Sequence, residues 1–298
     1  NNFTWTNNFS TRHYKESQDV LTQLHFINQP YKENYFLSKA KQDINLYATQ
    51  LDYALTNDNF GLEAGLKYSF VKNDNDLDFF EKTTNQIDYQ REKSNVFNYK
   101  EQIFAAYVSS NFKWKKWEAK AGLRTETTWI NIISDNPYSK NNQTKTDFFQ
   151  TAYLMYSFEK SGQLGLNYGK RIDRPNYNFL NPSKSYYNLF SYFQGDPSIK
   201  STIIHNLSLT YTISDWNFEA YYRYEKNPAM ELSIQNPETF ETVYHFTNIK
   251  NGEAYGFNLS KNYNLKSWWK INLFAMAEYN KNYFFGTDQK TYKNDVVF

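Results

Sequence analysis

The sequence predicts an all-β protein, an antiparallel transmembrane β-barrel, and three observations lead to this fold class. Aromatic residues make up 20% of the 298 residues, yet the mean hydropathy is −0.82. Long segments alternate apolar and polar side chains with a period of two, and short and long connections follow one another between them. A barrel wall that is apolar toward lipid, polar toward the lumen and ringed by aromatic girdles combines these properties.

The alternation is clearest in four segments that begin at Phe60, Trp117, Trp216 and Trp269. Each segment is close to the roughly 9–11 residues that a tilted strand needs to cross a bilayer. Successive side chains of a strand point to opposite faces. The side chains predicted to face lipid are Leu62, Leu66, Ala121, Leu123, Phe218 and Leu273. The side chains predicted to face the lumen are Glu63, Lys67, Arg124, Glu126, Glu219, Arg223 and Lys270.

The connections between these segments predict which strands are joined at each membrane surface. Short connections are expected at residues 56–59, 115–116, 160–162, 214–215 and 266–267. Long connections are expected near residues 72–100, 134–146, 172–200 and 227–240. Outer-membrane barrels have short periplasmic turns and longer outer loops, so the long connections are expected outside the cell. This division of the chain predicts about 12 strands.

The composition argues against several classes of function. The chain has 33 basic and 31 acidic residues, and this balance does not indicate a nucleic-acid partner. It has no cysteine, no phosphate-binding glycine loop and no nucleophile motif. Its histidines, which are not at metal-ligand spacing, are His13, His25, His205 and His245. We therefore predict no catalytic residue, no metal, no cofactor and a protein that is not an enzyme.

A soluble β-sandwich is the alternative fold, because its strands also alternate with a period of two. Strands of such a sandwich are typically about five or six residues long, which is shorter than the segments found here. A soluble domain of this kind would bind carbohydrate on an aromatic platform, and it would stay in solution without detergent. The length of the segments and the alternation of short and long connections favour the barrel.

The most distinctive part of the chain is the segment 169–200. Pro175, Pro182 and Pro197 each remove a backbone donor, so this segment is not one continuous central strand. The aromatic residues between the prolines, which are the candidate ligand-binding residues, are Tyr177, Phe179, Tyr186, Tyr187, Phe190, Tyr192 and Phe193. On an outer loop these rings either pack on one another as a loop core or stack against a ligand. Packing is the favoured alternative, because exposed apolar patches are costly unless they are used.

Several short motifs carry a family resemblance. In this segment they are Arg171-x-x-Arg174-Pro175, Leu180-Asn181-Pro182 and Gly195-Asp196-Pro197. Elsewhere they are Glu101 to Val108, the run from Ala121 to Glu126 that reads AGLRTE, and Thr247-Asn248-Ile249. In order and spacing these motifs resemble the outer-membrane β-barrel family of Bacteroidetes, within the TonB-dependent receptor superfamily. The resemblance extends from about residue 43 to about residue 283.

The resemblance implies a receptor of about 22 strands around a plug, of which residues 1–298 would be a barrel fragment of about 12 strands without the plug. It implies the outer membrane of a Gram-negative bacterium as the location. The implied partners are membrane lipid, a TonB-type energy-coupling protein that acts through the plug, and a surface lipoprotein.

The function that the resemblance implies is active uptake, in which the outer loops bind a solute and the barrel imports it. Siderophores, glycans, peptides and metal complexes are all candidate solutes. The alternative is a non-energised barrel of the same fold that serves as a scaffold in an outer-membrane assembly.

Overall fold

The computed structural model describes residues 1–25, 27–28, 30–82, 86–285 and 291–297. In chain order the elements are β1 (Asn2–Leu24), β2 (Lys32–Thr56), β3 (Phe60–Lys82), β4 (Ile87–Tyr89), β5 (Asn95–Trp114), β6 (Trp117–Asp135), β7 (Tyr138–Phe158), β8 (Gly162–Asp173), α1 (Tyr177–Leu180), β9 (Lys184–Asn188), β10 (Ser191–Gln194), β11 (Thr202–Ile213), β12 (Trp216–Lys226), β13 (Ala229–Gln235), β14 (Thr242–Asn248), β15 (Asn251–Lys266), β16 (Trp269–Phe285) and β17 (Thr291–Val297). Within the described residues, no helix has the length and apolar character needed to cross a membrane.

Most strands belong to one large antiparallel sheet. Its order is β1-β2-β3-β5-β6-β7-β8-β11-β12-β15-β16-β17, and the short β4 pairs with β3 beside this path. In the described part of the chain, β1 pairs only with β2 and β17 pairs only with β16, so the sheet is open. The predicted antiparallel all-β wall of about 12 strands is thereby confirmed.

The two faces of this sheet differ in chemistry, as the period of two predicts. On β6, Leu123 is 46% exposed, whereas Glu126 and Ile132 on the opposite face are 5% and 1% exposed. Ile132 is covered by the loop residues Leu180 and Ile199, which pack against it. We call the face that carries Glu126 and Ile132 the inner face, and the opposite face the outer face.

The outer face is apolar across the membrane-crossing part of the sheet. Its exposed large apolar side chains include Leu66, Phe104, Val108, Leu123, Leu154, Leu166, Leu209, Phe257 and Leu273. The strand register places them on one side, because residues paired across neighbouring strands share a face. A continuous apolar surface of this extent is suited to contact with lipid rather than with water.

Two tryptophans mark the height of the membrane-crossing part of β6. Trp117 and Trp129 both lie on the outer face and are 42% and 40% exposed. At roughly 3.3 Å per residue, the segment between them covers about 40 Å along the strand, or about 30 Å across a membrane at a tilt of about 40°. β2 and β3 contain 25 and 23 residues, so they continue well beyond this band.

The long connections are more regular than the sequence predicts. The predicted long connection over residues 134–146 is an extended hairpin, in which β6 and β7 stay paired as far as Asp135 and Tyr138. Only Asn136 and Pro137 form the turn between them. Most of residues 138–146 in this hairpin are exposed on both faces, so the alternation that marks a strand inside the membrane is lost there.

Two other long connections also contain more strand than expected. In the region 72–100, β3 continues to Lys82 and β5 begins at Asn95. In the region 227–240, β13 occupies half of the predicted connection and pairs with β14. Both connections are therefore extended hairpins rather than irregular loops.

The connection 172–200 and the segment 227–248 combine into a second, smaller sheet. Its order is β13-β14-β10-β9, and we call these four strands the loop sheet. β10 and β14 pair in parallel from Ser191 and Thr242 to Phe193 and Tyr244, so two separate connections share one hydrogen-bonded ladder. Beside it, Leu180 and Ile199 form a buried core with Phe97, Tyr99 and Ile132 on the inner face.

We expect Leu123→Arg to destabilise the barrel by roughly 2–4 kcal/mol, because it places a cation on the lipid-facing side near the middle of the membrane. The matched control is Asn167→Arg, at similar depth on the inner face of β8. Its expected cost is within about 0.5 kcal/mol, because the new side chain stays hydrated. Urea unfolding of the full-length protein in lipid vesicles measures both, and the opposite ranking would mean that the two faces are reversed.

Candidate functional site: the anchored loop sheet

The Leu-Asn-Pro motif forms a turn that is fixed by its own side chains. Leu180 ends α1 and is 3% exposed in the core on the inner face. The Oδ1 atom of Asn181 accepts hydrogen bonds from the backbone N–H and the hydroxyl of Ser183, at 3.0 and 2.7 Å. The Nδ2 group of Asn95 at the start of β5 donates to the same hydroxyl at 2.8 Å. The turn is therefore tied directly to the barrel wall.

The Gly-Asp-Pro motif packs against this turn. The N–H of Gly195 donates to the carbonyl oxygen of Asn181 at 2.9 Å, and that of Asp196 donates to the carbonyl oxygen of Phe179 at 2.7 Å. A Cβ atom at position 195 would clash with both carbonyl oxygens. Only glycine allows the two backbone segments to approach so closely.

The second arginine of the Arg-x-x-Arg-Pro motif joins the loop to two carboxylates of the wall. The Nη2 group of Arg174 donates to Glu126 Oε2 at 2.6 Å, and its Nε lies 3.8 Å from Glu101 Oε2. Glu101 and Glu126 are only 6% and 5% exposed. We call these three residues the Arg174 latch. Two motifs that are about 50 residues apart in sequence, at Glu126 and at Arg174, meet in this contact.

Two tyrosines cover the latch. The hydroxyl of Tyr99 donates to Glu101 Oε2 at 3.0 Å, and its ring centroid lies 4.8 Å from that of Tyr177. Burial, reinforced by the negative charge of Glu101, raises the pKa of Tyr177 to about 12. The Tyr177 hydroxyl therefore stays protonated at neutral pH, and no further negative charge is added beside Glu101.

A single asparagine of the Thr-Asn-Ile motif joins three segments. The side-chain oxygen of Asn248 accepts from the N–H of Lys200 at 2.7 Å. Its Nδ2 group donates to the carbonyl oxygens of Lys200 and Asn227, at 2.9 and 2.8 Å. The end of β14, the start of β11 and the end of β12 are thereby held together.

The seven aromatic residues proposed from the sequence lie mainly within the packing of the loop sheet. Phe179 stacks on Phe246 with 3.7 Å between ring centroids and 15° between ring planes. Tyr186 lies 5.1 Å from the ring of Phe79 on the wall and 5.2 Å from that of Tyr192. Burial raises the pKa of Tyr186 to about 12. These contacts support the loop-core alternative for this part of the set.

The remaining members of the set differ in exposure. Phe193 packs beside Phe179 and Phe246, with 6.2 and 6.3 Å between the ring centroids. Tyr187 and Phe190 are 54% and 37% exposed, so they are the members that a solute can reach most easily. Ligand binding by any of the seven rings stays a prediction.

The seven residues proposed for the lumen all lie on the inner face, and several are paired there. Arg124 Nε lies 2.5 Å from Glu126 in the latch. Arg223 Nε lies 3.1 Å from Glu225 on the same face of β12. Glu219 accepts a hydrogen bond from Asn258 at 3.0 Å.

Glu63 and Lys67 lie on the inner face of β3. The hydroxyl of Ser109 donates to Glu63 at 3.4 Å. Lys270 lies near the short-turn end of β16, an even number of residues from the inner-facing residues of that strand, so it lies on the inner face as well. These seven positions of the inner face are thus polar where the outer face is apolar, although contact with a water-filled lumen stays a prediction for each of them.

Tyrosine side chains lie flat against the inner wall at two places. Tyr107 crosses Gly65 on the neighbouring strand, and its hydroxyl donates to Asp52 on the strand beyond. Tyr221 crosses Gly256 in the same way. A glycine beneath each ring leaves space for it, so the large side chains line the wall instead of projecting from it.

A cavity of about 840 Å³ opens at the loop end, between β7 and β8. β7 pairs with β8 only from Thr151 to Phe158, and its remaining residues toward Tyr138 have no strand on that side in the described part of the chain. The apolar part of the lining consists mainly of Ile130, Ile132, Ile172, Leu180, Ile199 and Ile203. The latch residues Glu101 and Arg174 form part of the same lining.

No site role is predicted from the sequence for Glu101 or Asn248, although both lie in segments that carry the family resemblance. For Glu101, its position along the strand could have indicated a site role. Its neighbour Gln102 pairs with Trp129 at the girdle, so Glu101 is a carboxylate on the inner face at the edge of the membrane band. For Asn248 no local signal exists, because its partners are 21 and 48 residues away.

Comparison with solved structures shows the same fold in three outer-membrane proteins. The copper transporter OprC has a TM-score of 0.56 and 14% identity, and the match covers 95% of this chain and 44% of OprC. BauA, the ferric preacinetobactin receptor from Acinetobacter baumannii, has a TM-score of 0.56 and 9% identity over 96% of this chain and 43% of BauA. The RagAB peptide transporter has a TM-score of 0.52 and 14% identity over 99% of this chain and 35% of its chain.

These matches also show how large the chain is relative to known proteins. It spans less than half the length of each of the three matched chains. No curated protein matches the chain significantly in sequence. The sequence does match a family of barrels over residues 1–298, which is the full chain. The chain therefore belongs to the outer membrane protein β-barrel family, and its place is the outer membrane.

Proposed function

We propose that this chain is the barrel part of a TonB-dependent-type receptor, which binds a solute at its loop end and imports it through the barrel. The observation that carries the proposal is the anchored loop sheet, which lies over a polar inner face and leaves a cavity at the loop end. A receptor needs both a shaped binding surface outside and a polar path behind it.

The proposed orientation follows from the connections. The short turns, such as Lys115–Lys116 between β5 and β6, would lie in the periplasm, and the loop sheet would lie outside the cell. Import would be energised by a TonB-type protein acting through a plug in the rest of the protein. A surface lipoprotein is a further proposed partner, which the family resemblance implies.

The comparison structures support a receptor without naming its solute. The three proteins are a copper transporter, a ferric preacinetobactin receptor and a peptide transporter, so one fold serves three chemically different cargoes. Choice of solute therefore depends on the local surface of each protein rather than on the fold.

A non-energised scaffold barrel is the second candidate function. The packing of the loop rings favours it, since Tyr192 is 6% exposed and Phe179 is stacked against Phe246. Rings that are already satisfied by packing give no direct indication of a solute.

Uptake by intact cells distinguishes the two candidates. A strain that carries the full-length gene and a deletion strain receive a defined mixture of ferric chelates, oligosaccharides and peptides, and mass spectrometry follows their depletion. We expect gene-dependent depletion of one class of solute, which stops when an uncoupler removes the proton gradient. A deletion strain with a leaky envelope but unchanged depletion of every class would support the scaffold instead.

The Arg174 latch provides a test of how the loop sheet is held. Arg174→Met would leave Glu101 buried without a cation and Glu126 with Arg124 alone, and breaking a buried pair in this way costs roughly 3–5 kcal/mol. We therefore expect amide hydrogen exchange in residues 177–199 to accelerate by roughly a hundredfold or more, while exchange in β6 stays slow. The measurement uses the full-length protein in detergent.

The control for the latch lies in the same motif. Arg171 is exposed and has no ion-pair partner among the described residues, so Arg171→Met is expected to leave exchange unchanged. Adding Glu101→Gln and Glu126→Gln to Arg174→Met is expected to restore much of the protection, because the buried charges are removed. Equal exchange in the Arg171 and Arg174 variants would show that the latch does not hold the loop.

The aromatic rings of the loop sheet differ in exposure, so their removal is expected to differ in its effect on stability. Tyr192→Ala removes a buried ring and is expected to destabilise the loop sheet by roughly 3 kcal/mol. Tyr187→Ala and Phe190→Ala remove exposed rings and are expected to cost less than about 0.5 kcal/mol. Limited proteolysis of the loop measures this difference.

Uptake in the same variants tests the ligand-platform alternative. If the exposed rings contact solute, Tyr187→Ala and Phe190→Ala reduce uptake although the loop remains protected from protease. Unchanged uptake in both variants would leave these rings without a role in binding.

A further inference from the structure

The cavity between β7 and β8 lies at a seam in the wall. β7 remains paired with β6 up to Tyr138, while β8 continues past Gly169 beside β11 alone. The two hairpins therefore separate at the loop end, and the cavity of about 840 Å³ fills the space between them. A second hollow of about 820 Å³ adjoins it and shares Lys200, Lys226 and Asn227.

The lining of this cavity has an excess of positive charge. Its cations are Lys145, Lys170, Arg174, Lys200 and Lys226. Its carboxylates are Glu101 and Asp147. Five cations against two carboxylates leave a formal excess of three positive charges around one concave surface.

Two of the cations are already paired. Lys145 Nζ lies 3.0 Å from Asp147, and Arg174 belongs to the latch. Lys170, Lys200 and Lys226 have no carboxylate within ion-pair distance in the described part of the chain. Lys170 instead lies over the ring of Phe149, with its Nζ 5.8 Å from the centroid. The excess charge thus belongs to three lysines that are free to bind an anion.

The surface between these lysines is apolar. Ile172 and Ile203 lie beside Lys170, and Ile199 is 5% exposed next to Lys200. A small inorganic anion would satisfy the lysines but would leave this apolar surface in water. A solute with an apolar body and several anionic groups would satisfy both.

We propose that this cavity is the solute site of the receptor, and that it selects solutes with two or more anionic groups, carboxylate or phosphate, on an apolar body. This inference rests on the function proposed above and gives the chemical class of its solute. The same anionic chemistry occurs in the phosphates of lipid A in the outer leaflet, so the test includes that lipid.

The test measures binding of pyranine, an aromatic plate with three sulfonates, to the full-length protein in neutral detergent by fluorescence anisotropy. The double variant Lys170→Gln with Lys226→Gln is expected to raise the Kd by roughly tenfold or more, because two cations close to the anion are lost. Raising the ionic strength is expected to weaken binding to the unmodified protein and to reduce the difference between the two.

The matched control is Lys15→Gln with Lys140→Gln. It removes the same net charge from exposed lysines of β1 and β7 that do not line the cavity. An unchanged Kd for pyranine in this control supports the site. Equally weakened pyranine binding in both double variants would show that only the net charge of the protein matters, and this would overturn the proposal. Displacement of pyranine by lipid A, lost in the Lys170 and Lys226 variant, would assign the cavity to a lipid headgroup and overturn the solute assignment.

Binding and uptake can fail independently. Absence of lysine-dependent pyranine binding in a protein that still imports a solute would refute only the inference about this cavity. Lysine-dependent binding in a protein that imports none of the solutes would refute only the proposed transport function.

Discussion

The contact between Arg174 and the buried carboxylates of Glu101 and Glu126 is the constraint on which the loop end depends. Arg174 is the cation that the loop supplies to these two carboxylates of the wall, so the loop and the wall stabilise each other. Leu180, six residues after Arg174, packs in the core with Ile132, and the backbone of Gly195 is hydrogen-bonded to Asn181. This contact positions the loop sheet and the adjoining cavity together with the Asn181 turn and Asn248.

The wall was predictable because inside the membrane each strand must separate an apolar from a polar side chain at every step. Leu123 and Arg124 show this in two adjacent residues of β6, and the register extends it across the sheet. The extended hairpin over residues 134–146 was not predictable in the same way. Most of its residues in β7 are exposed on both faces, so they resemble the polar residues of an irregular loop although they remain paired with β6.

The candidate site was predictable only in part, because its contacts are long-range. The sequence identified the motifs around Arg174, Leu180 and Gly195 but not what they contact. Phe179 could be proposed as a ligand platform because its stacking partner, Phe246, lies 67 positions later and carries no local sign of the contact. Most of the motif residues act in anchoring the loops, so the family resemblance reports how the loops are held rather than which solute they meet.

The parallel pairing of β10 with β14 joins two connections that are separated by two full strands of the wall. Neither connection can change its length freely, because an insertion that shifts one strand by a single residue turns the side chains of that strand to the wrong side of the ladder. Diversification of such a receptor is therefore restricted to exchanging side chains at constant loop length. Related barrels that retain this ladder would differ in cargo through point substitutions around the same backbone.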